Sequence, residues 1–329
     1  MTRSPTAKLD IIEALRFFAA MSVVFVHIPT VRAGHFGVDA FFIISGFVMM
    51  LSTRVSGEQF FLKRLIRIVP TYWLFTLGVF AIALVLPGLL NNTTANVEHL
   101  LKSLAFIPFD KNGAGHLPVL FLGWTLNYEM YFYLVFAIAL TISHRYRAPL
   151  AALGIFAVWL IGAGSDSFPL QVYHNFIVYE FVLGMLVYLL LAERSLDQAA
   201  MLVAILLLAA ALSDDSFAHR FYIFGLPAAV LIALALIMFA DKTLPPLLLT
   251  LGGASYALYL THPYVIQVFD KVTHWFSGTP TQQMLALVLS LVLVNLLAVA
   301  VYLLLERPLR DHLRRKLLRP RRQTRDATG

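Results

Sequence analysis

The stretch LRFFAAMSVVFVHIPTV, residues 15–31, has the length and apolar content of a membrane helix, with Arg16 and His27 as the two intrusions. A fixed positive charge and a titratable ring inside a span are costly, and such groups as a rule face a bundle interior or a water-filled path. The rest of the chain supports reading this stretch as a span. Of 329 residues, 60% are hydrophobic and 13% charged, against roughly 25% charged in a soluble domain. Mean hydropathy is +0.79. Apolar runs approaching the ~20 residues that cross a bilayer recur throughout. None alternates with period two, so a closed barrel is excluded and helices remain. The fold class is therefore all-α: a polytopic integral membrane bundle of about ten transmembrane helices. They are placed near 11–31, 36–52, 70–89, 118–141, 149–163, 172–191, 198–212, 221–240, 247–268 and 282–305.

Basic residues orient the bundle, because Lys and Arg collect in cytoplasmic loops. With the N-terminus inside, the cytoplasmic segments carry Arg3 and Lys8; Arg54, Lys63, Arg64 and Arg67; Arg145 and Arg147; Arg194; Lys242; and the tail from Arg307 to Arg325. The outer loops carry Arg32, Lys102, Lys111, Arg220 and Lys271. Both termini are expected in the cytoplasm. The same asymmetry explains a formal charge of +7. The tail ERPLRDHLRRKLLRPRRQTR reads as a polybasic segment on anionic lipid rather than a nucleic-acid site. Residues 1–308 form one membrane domain in this reading, and 309–329 a basic cytoplasmic tail. The first helix carries Glu13, Arg16 and His27 and is not a cleaved signal. The sequence contains no cysteine, so thiolate chemistry is absent, and scattered histidines without a metal-ligand spacing argue against a bound metal.

Arg16 and His27 are eleven positions apart, about 1100° of rotation, so they share one helix face about 16 Å apart along its axis. Taken singly, Arg16 is explained by snorkelling to the inner interface, and His27 by hydrogen-bonded packing near the outer surface. Other polar groups reach comparable depths. GHFGVDAFFIISGF (34–47) carries Asp39, LGWTLNYEMYFYL (122–134) carries Glu129, YHNFIVYEFVLGM (173–185) carries Glu180, and LGGASYALYLTHPYV (251–265) carries His262. Carboxylates and imidazoles converging inside a bundle mark a functional site, or alternatively a purely structural network. FFLKRLIRIVPTYW (60–73) places Lys63, Arg64 and Arg67 ahead of Pro70 on the cytoplasmic side. That pattern suits topology alone, and it also suits an anion site, since guanidinium groups grip phosphates as forks.

These elements, in this order, resemble the membrane-bound acyltransferase family 3, and within it the bacterial exopolysaccharide-biosynthesis branch, from Leu9 to about Pro308. The matching residues are Arg16 and His27; Gly34, Gly37, Val38, Asp39, Phe41, Phe42, Ser45, Gly46 and Phe47; Arg64, Arg67 and Pro70; Trp124 and Glu129; Glu180, Phe181 and Gly184; Ser255, Tyr256, Tyr259, Leu260 and His262; and Glu306 with Pro308. The resemblance implies O-acyl transfer at the bacterial inner membrane, from cytoplasmic acyl-CoA, by default acetyl-CoA, to a hydroxyl of an envelope glycan or its lipid-linked precursor. No permanently bound cofactor is implied. Arg64 and Arg67 would hold donor phosphates and Arg16 would steer the pantetheine arm. His27 would be the general base, oriented by Asp39 or, second, Glu129. Trp124, Tyr256 or His262 would supply oxyanion donors, and Glu180 would line the substrate site. Direct transfer and a covalent acyl-histidine both stay open. The rival readings are a secondary transporter, which also uses mid-membrane charge, and a non-catalytic export subunit.

Overall fold

The computed structural model describes residues 5–31, 33–86, 95–110, 117–213 and 219–318, with side chains from residue 10 onward. Of the charges used for orientation, Arg3, Arg32, Lys111, the Lys8 side chain and the tail beyond residue 318 lie outside the described residues. So do parts of the long loop, 87–94 and 111–116.

Among the described residues the chain is helical and has no strand. The helices are α1 (Pro5–His27), α2 (Gly37–Ser52), α3 (Phe60–Val85), α4 (Val97–Leu104), α5 (Gly123–Ile142), α6 (Arg147–Gly162), α7 (Phe168–Tyr173), α8 (Tyr179–Tyr188), α9 (Leu196–Leu212), α10 (Leu226–Met238), α11 (Pro246–Gly253), α12 (Ser255–Thr273), α13 (Pro280–Val301) and α14 (Arg307–Leu317). Five continuous helical stretches are long and apolar enough to cross a membrane: Phe60–Val85, Gly123–Ile142, Phe176–Glu193, Phe221–Met238 and Pro280–Leu317. Three shorter apolar helices, α2, α6 and α9, accompany them.

Three boundaries differ from the sequence reading, each for a local reason. The basic motif before Pro70 is not a loop, because α3 starts at Phe60 and runs through the proline. Pro70 lies about three turns into α3, where it forfeits one backbone hydrogen bond while the helix continues through it. The apolar run at 247–268 is two helices, with a turn at Ala254 between α11 and α12. The last span, placed at 282–305, does not end there. A π-helical turn, Tyr302–Glu306, joins α13 to α14 immediately before Pro308. The same arrangement, a π turn at Phe221–Gly225 followed by Pro227, opens α10. The wider turn relieves the contact between a proline ring and the carbonyl one turn earlier.

The centre of the bundle is the crossing of α2 and α8, its most closely packed pair. Gly46 and Gly184 make it possible. A Cβ on Gly46 would lie 2.1 Å from the Phe181 carbonyl oxygen, and one on Gly184 would lie 2.0 Å from that of Ile43. Small residues let membrane helices approach to backbone contact, where dispersion drives association. Phe181 stacks on Phe42 at 4.6 Å and on Phe132 at 4.2 Å, tying α5 into the same core. The 176–193 stretch is accordingly 72% buried, whereas an apolar 18-residue window of the 280–317 stretch is 22% buried. Large apolar side chains such as Leu84, Leu207 and Leu304 face outward, as lipid solvation allows. Gly34, at φ +92°, turns the chain between α1 and α2, and its carbonyl accepts a 2.6 Å hydrogen bond from Ser22.

Candidate active site

Helices α1, α2, α3, α5 and α12 line a chamber of about 120 Å³. Its walls are largely apolar, from Ile12, Phe41, Phe42, Val48, Met49 and Leu126. Its polar lining comprises Glu13, Arg16, Ser45, Arg64, Arg67, Glu129 and Tyr133, with Thr125, Tyr256 and Tyr259. A second space of about 500 Å³ adjoins the chamber, sharing Glu13, Arg16, Val48, Arg64 and Arg67 as walls. Lys63, Ser52, Ser56, Arg310 and Arg314 line this vestibule further out. The C-terminal end of α2 and the N-terminal end of α3 meet there with α14. Basic groups therefore lead from a charged mouth to a mostly apolar interior.

Glu129 stands where the two regimes meet. Its Oε1 accepts from Ser45 Oγ at 3.0 Å and from the Tyr133 hydroxyl, one turn along α5. Arg64 donates to Ser52 Oγ at 2.7 Å and lies over the rings of Phe60 and Tyr133, at 5.5 and 5.8 Å. The carboxylates whose charge reaches Arg67 are those of Glu13, Glu306 and Glu129. Arg16 Nη1 lies 3.9 Å from Glu13 Oε1, one turn away on α1. Arg16, Arg64, Arg67 and Glu129, placed by the sequence at successive depths from the cytoplasmic face to mid-membrane, share one cavity.

His27 and His262 form a pair of their own. His27 Nδ1 lies 2.9 Å from the Val23 carbonyl oxygen and 3.2 Å from His262 Nε2, and the two rings meet edge to face at 4.9 Å. His262, fully buried, directs Nδ1 at the Leu258 carbonyl oxygen, 3.0 Å away. Carbonyl oxygens only accept, so each Nδ1 carries its proton. His262 Nε2 is then the acceptor for His27 Nδ1–H, and His27 keeps its Nε2 lone pair free of a proton. This pair does not line the chamber. Phe41 and Tyr259, 6.0 Å apart, form the wall on that side, and Tyr259 stands 6.2 Å from His262.

Several expected roles change in this geometry. Asp39, expected beside His27, is fully buried and pairs instead with Arg220, with Oδ2 2.6 Å from Nη2. Glu180 is buried next to Asp39. Together the three tie α2 and α8 to the entry of α10, apart from the chamber. The second choice, Glu129, is likewise held by Ser45 and Tyr133 and not by His27. The tautomer of His27 is set by the Val23 carbonyl and a second histidine, so no carboxylate is needed for it. Of the oxyanion candidates, Tyr256 spends its hydroxyl on the Ile68 carbonyl oxygen at 3.0 Å, and His262 Nε2 has no proton to give. Trp124 stands edge-on to Tyr128 at 6.1 Å and does not line the chamber. Residues given no role from the sequence now have one. Tyr133 follows Glu129 by four residues, a spacing that puts both on one helix face. Arg220, Arg310 and Arg314 gave no such signal, since each read as an ordinary loop or tail charge.

A family model described as an acyltransferase domain matches residues 9–304. The exopolysaccharide production protein ExoZ of Rhizobium meliloti (strain 1021) is 36% identical over 297 residues, covering 84% of this chain and 89% of that protein. A protein of Acidianus two-tailed virus named "Putative acetyltransferase ORF330" is 24% identical over 279 residues, covering 76% and 81%. No solved structure matches the chain. With the family model covering nearly the whole helical bundle, including Arg16, His27, Arg64, Arg67 and His262, the chain belongs to the membrane-bound acyltransferase family 3.

Proposed function

We propose that this acyltransferase moves an acyl group, acetyl in the first instance, from cytoplasmic acyl-CoA to a hydroxyl of an exported polysaccharide or its lipid-linked precursor. The observation that carries this reading is the joined vestibule and chamber. Arg64 and Arg67 sit at the junction, where the diphosphate of a CoA would rest, and the mostly apolar chamber beyond suits a pantetheine arm. The glycan acceptor rests on the relative named for exopolysaccharide production. In the transfer step the acceptor oxygen attacks the thioester carbon and its proton passes to His27 Nε2. The C–O bond forms, the C–S bond breaks, and the proton leaves with the CoA thiol. The Phe41–Tyr259 layer separates the chamber from the histidines, so the thioester waits in the chamber until these rings part.

The test is CoA release by the purified protein in nanodiscs, with acetyl-CoA and total envelope glycolipid. Release that requires glycolipid supports the reading; none with acetyl-CoA or succinyl-CoA would defeat it. In the same assay, replacing Arg64 and Arg67 together with alanine is expected to raise the KM for acyl-CoA about 10²–10⁴-fold, from two charge-assisted hydrogen bonds of ~1.5–3 kcal/mol each. An unchanged KM would remove both from the donor site.

The reading also includes ten spans with both termini in the cytoplasm, in the inner membrane. The chain has no native cysteine, so single cysteines report sidedness cleanly. Ser277→Cys, exposed after α12, is expected to react in intact cells with an impermeant maleimide. Val55→Cys, 75% exposed beside the vestibule mouth, is expected to react only after permeabilisation. The reverse pattern would invert the topology.

A further inference from the structure

The basic tail was expected on the lipid surface, yet α14 turns Arg310 and Arg314 into the vestibule. The two differ in how they are held. Arg310 is engaged by Glu306 and Asp311, each at 3.6 Å, and lies 5.8 Å over the Tyr302 ring. Arg314 has no carboxylate partner among the described residues, and its charge reaches that of Arg64 across the space. Lys63 spends one proton on the Glu58 backbone oxygen at 2.8 Å. Six cationic side chains (Arg16, Lys63, Arg64, Arg67, Arg310 and Arg314) thus face Glu13 and Glu58 around one cavity. Like charges facing one another across a cleft repel and focus a field that favours a multiply charged anion.

The order of these groups along the cavity matters. Arg64 and Arg67 wall both spaces, whereas Lys63, Arg310 and Arg314 wall only the vestibule. In a CoA the order is thioester, pantetheine, diphosphate, then the ribose with its 3′-phosphate. If the diphosphate lies at the junction, the 3′-phosphate falls to the outer group. Resting on the donor proposed above, we infer that α14 is part of the donor site: Arg314, with Lys63, holds the 3′-phosphate of acyl-CoA and makes the enzyme discriminate CoA from donors lacking that group.

The test compares equilibrium binding of CoA and of 3′-dephospho-CoA to the full-length protein in nanodiscs, made once with phosphatidylcholine alone and once with added phosphatidylglycerol. The wild type is expected to prefer CoA by about tenfold, the worth of one charge-assisted contact. Arg314→Ala is expected to lower the ratio severalfold, and Arg314→Ala with Lys63→Ala to bring it close to one, dephospho-CoA affinity staying unchanged in both lipids; Arg314→Lys is expected to keep more of the preference than Arg314→Ala. Arg314 and Lys63 lie at the surface, so these variants should fold. A wild-type ratio in Arg314→Ala, or an equal loss for both ligands, would overturn the assignment while the CoA donor stands. An effect confined to phosphatidylglycerol nanodiscs would also overturn it and make Arg314 a lipid contact. Failure of the wild type to bind CoA at all would instead remove the donor itself.

Discussion

Replacing His27 with alanine is expected to lower turnover by about 10²–10⁴-fold, the usual worth of a positioned general base, with CoA affinity little changed. A sugar hydroxyl is a weak nucleophile at neutral pH and needs its proton removed as the C–O bond forms. His27 is ready for that task in the resting structure. Its Nδ1–H is committed to the Val23 carbonyl and to His262, which leaves the Nε2 lone pair for the acceptor. Removing the ring removes the base and leaves Arg64 and Arg67 in place, so kcat should fall and donor binding persist. His262→Asn should cost less than His27→Ala, because the Val23 carbonyl alone still holds the His27 proton on Nδ1. CoA-release kinetics and CoA binding on the same nanodisc samples would separate these effects. A fully active His27→Ala enzyme would end the assignment.

The second large effect is structural. Gly184→Leu is expected to leave little folded protein, with destabilisation at or above the ~1–3 kcal/mol usual for overpacking. The obstacle is backbone rather than side chain: a Cβ there meets the Ile43 carbonyl oxygen at 2.0 Å, and no rotamer change relieves it. The α2–α8 crossing would have to open, and with it the chamber wall formed by Phe41, Phe42 and Ser45. Gly78→Ala is the control, since a Cβ at that α3 position meets nothing within 4 Å and alanine favours the helix by about 1 kcal/mol. Thermal unfolding in detergent, followed by size-exclusion fluorescence, should rank Gly78→Ala at or above wild type and Gly184→Leu far below. Equal stability of the two variants would remove the crossing as the centre of the fold.

Both cases bear on how far residue order alone reaches. The apolar runs fall largely on helices, five of the helical stretches being long and apolar enough to cross a membrane, and depth alone placed Arg64 and Arg67 at the inner face, Arg16 one step deeper and Glu129 near mid-membrane. Depth follows from position along a span, at 1.5 Å per residue. The convergence of His27 with His262 was likewise accessible, since both were placed in the outer half. The glycines at 46 and 184 were visible only as elements of a family pattern, because whether a glycine marks a crossing depends on which helix lies opposite.

The apolar composition and charge asymmetry determined that this is a helical membrane protein, and the order of its motifs determined its family. Those properties are written along one dimension. Tertiary structure alone decided the partners. Asp39 and Glu129 lie on α2 and α5, either able in principle to face His27, yet one meets Arg220 and the other meets Ser45 and Tyr133. Position along a helix sets how deep a charge sits; the rotation and neighbours of that helix set what it touches, and these arise only when the bundle closes. The same reason carried Arg314 from an unremarkable basic tail into the wall of the vestibule.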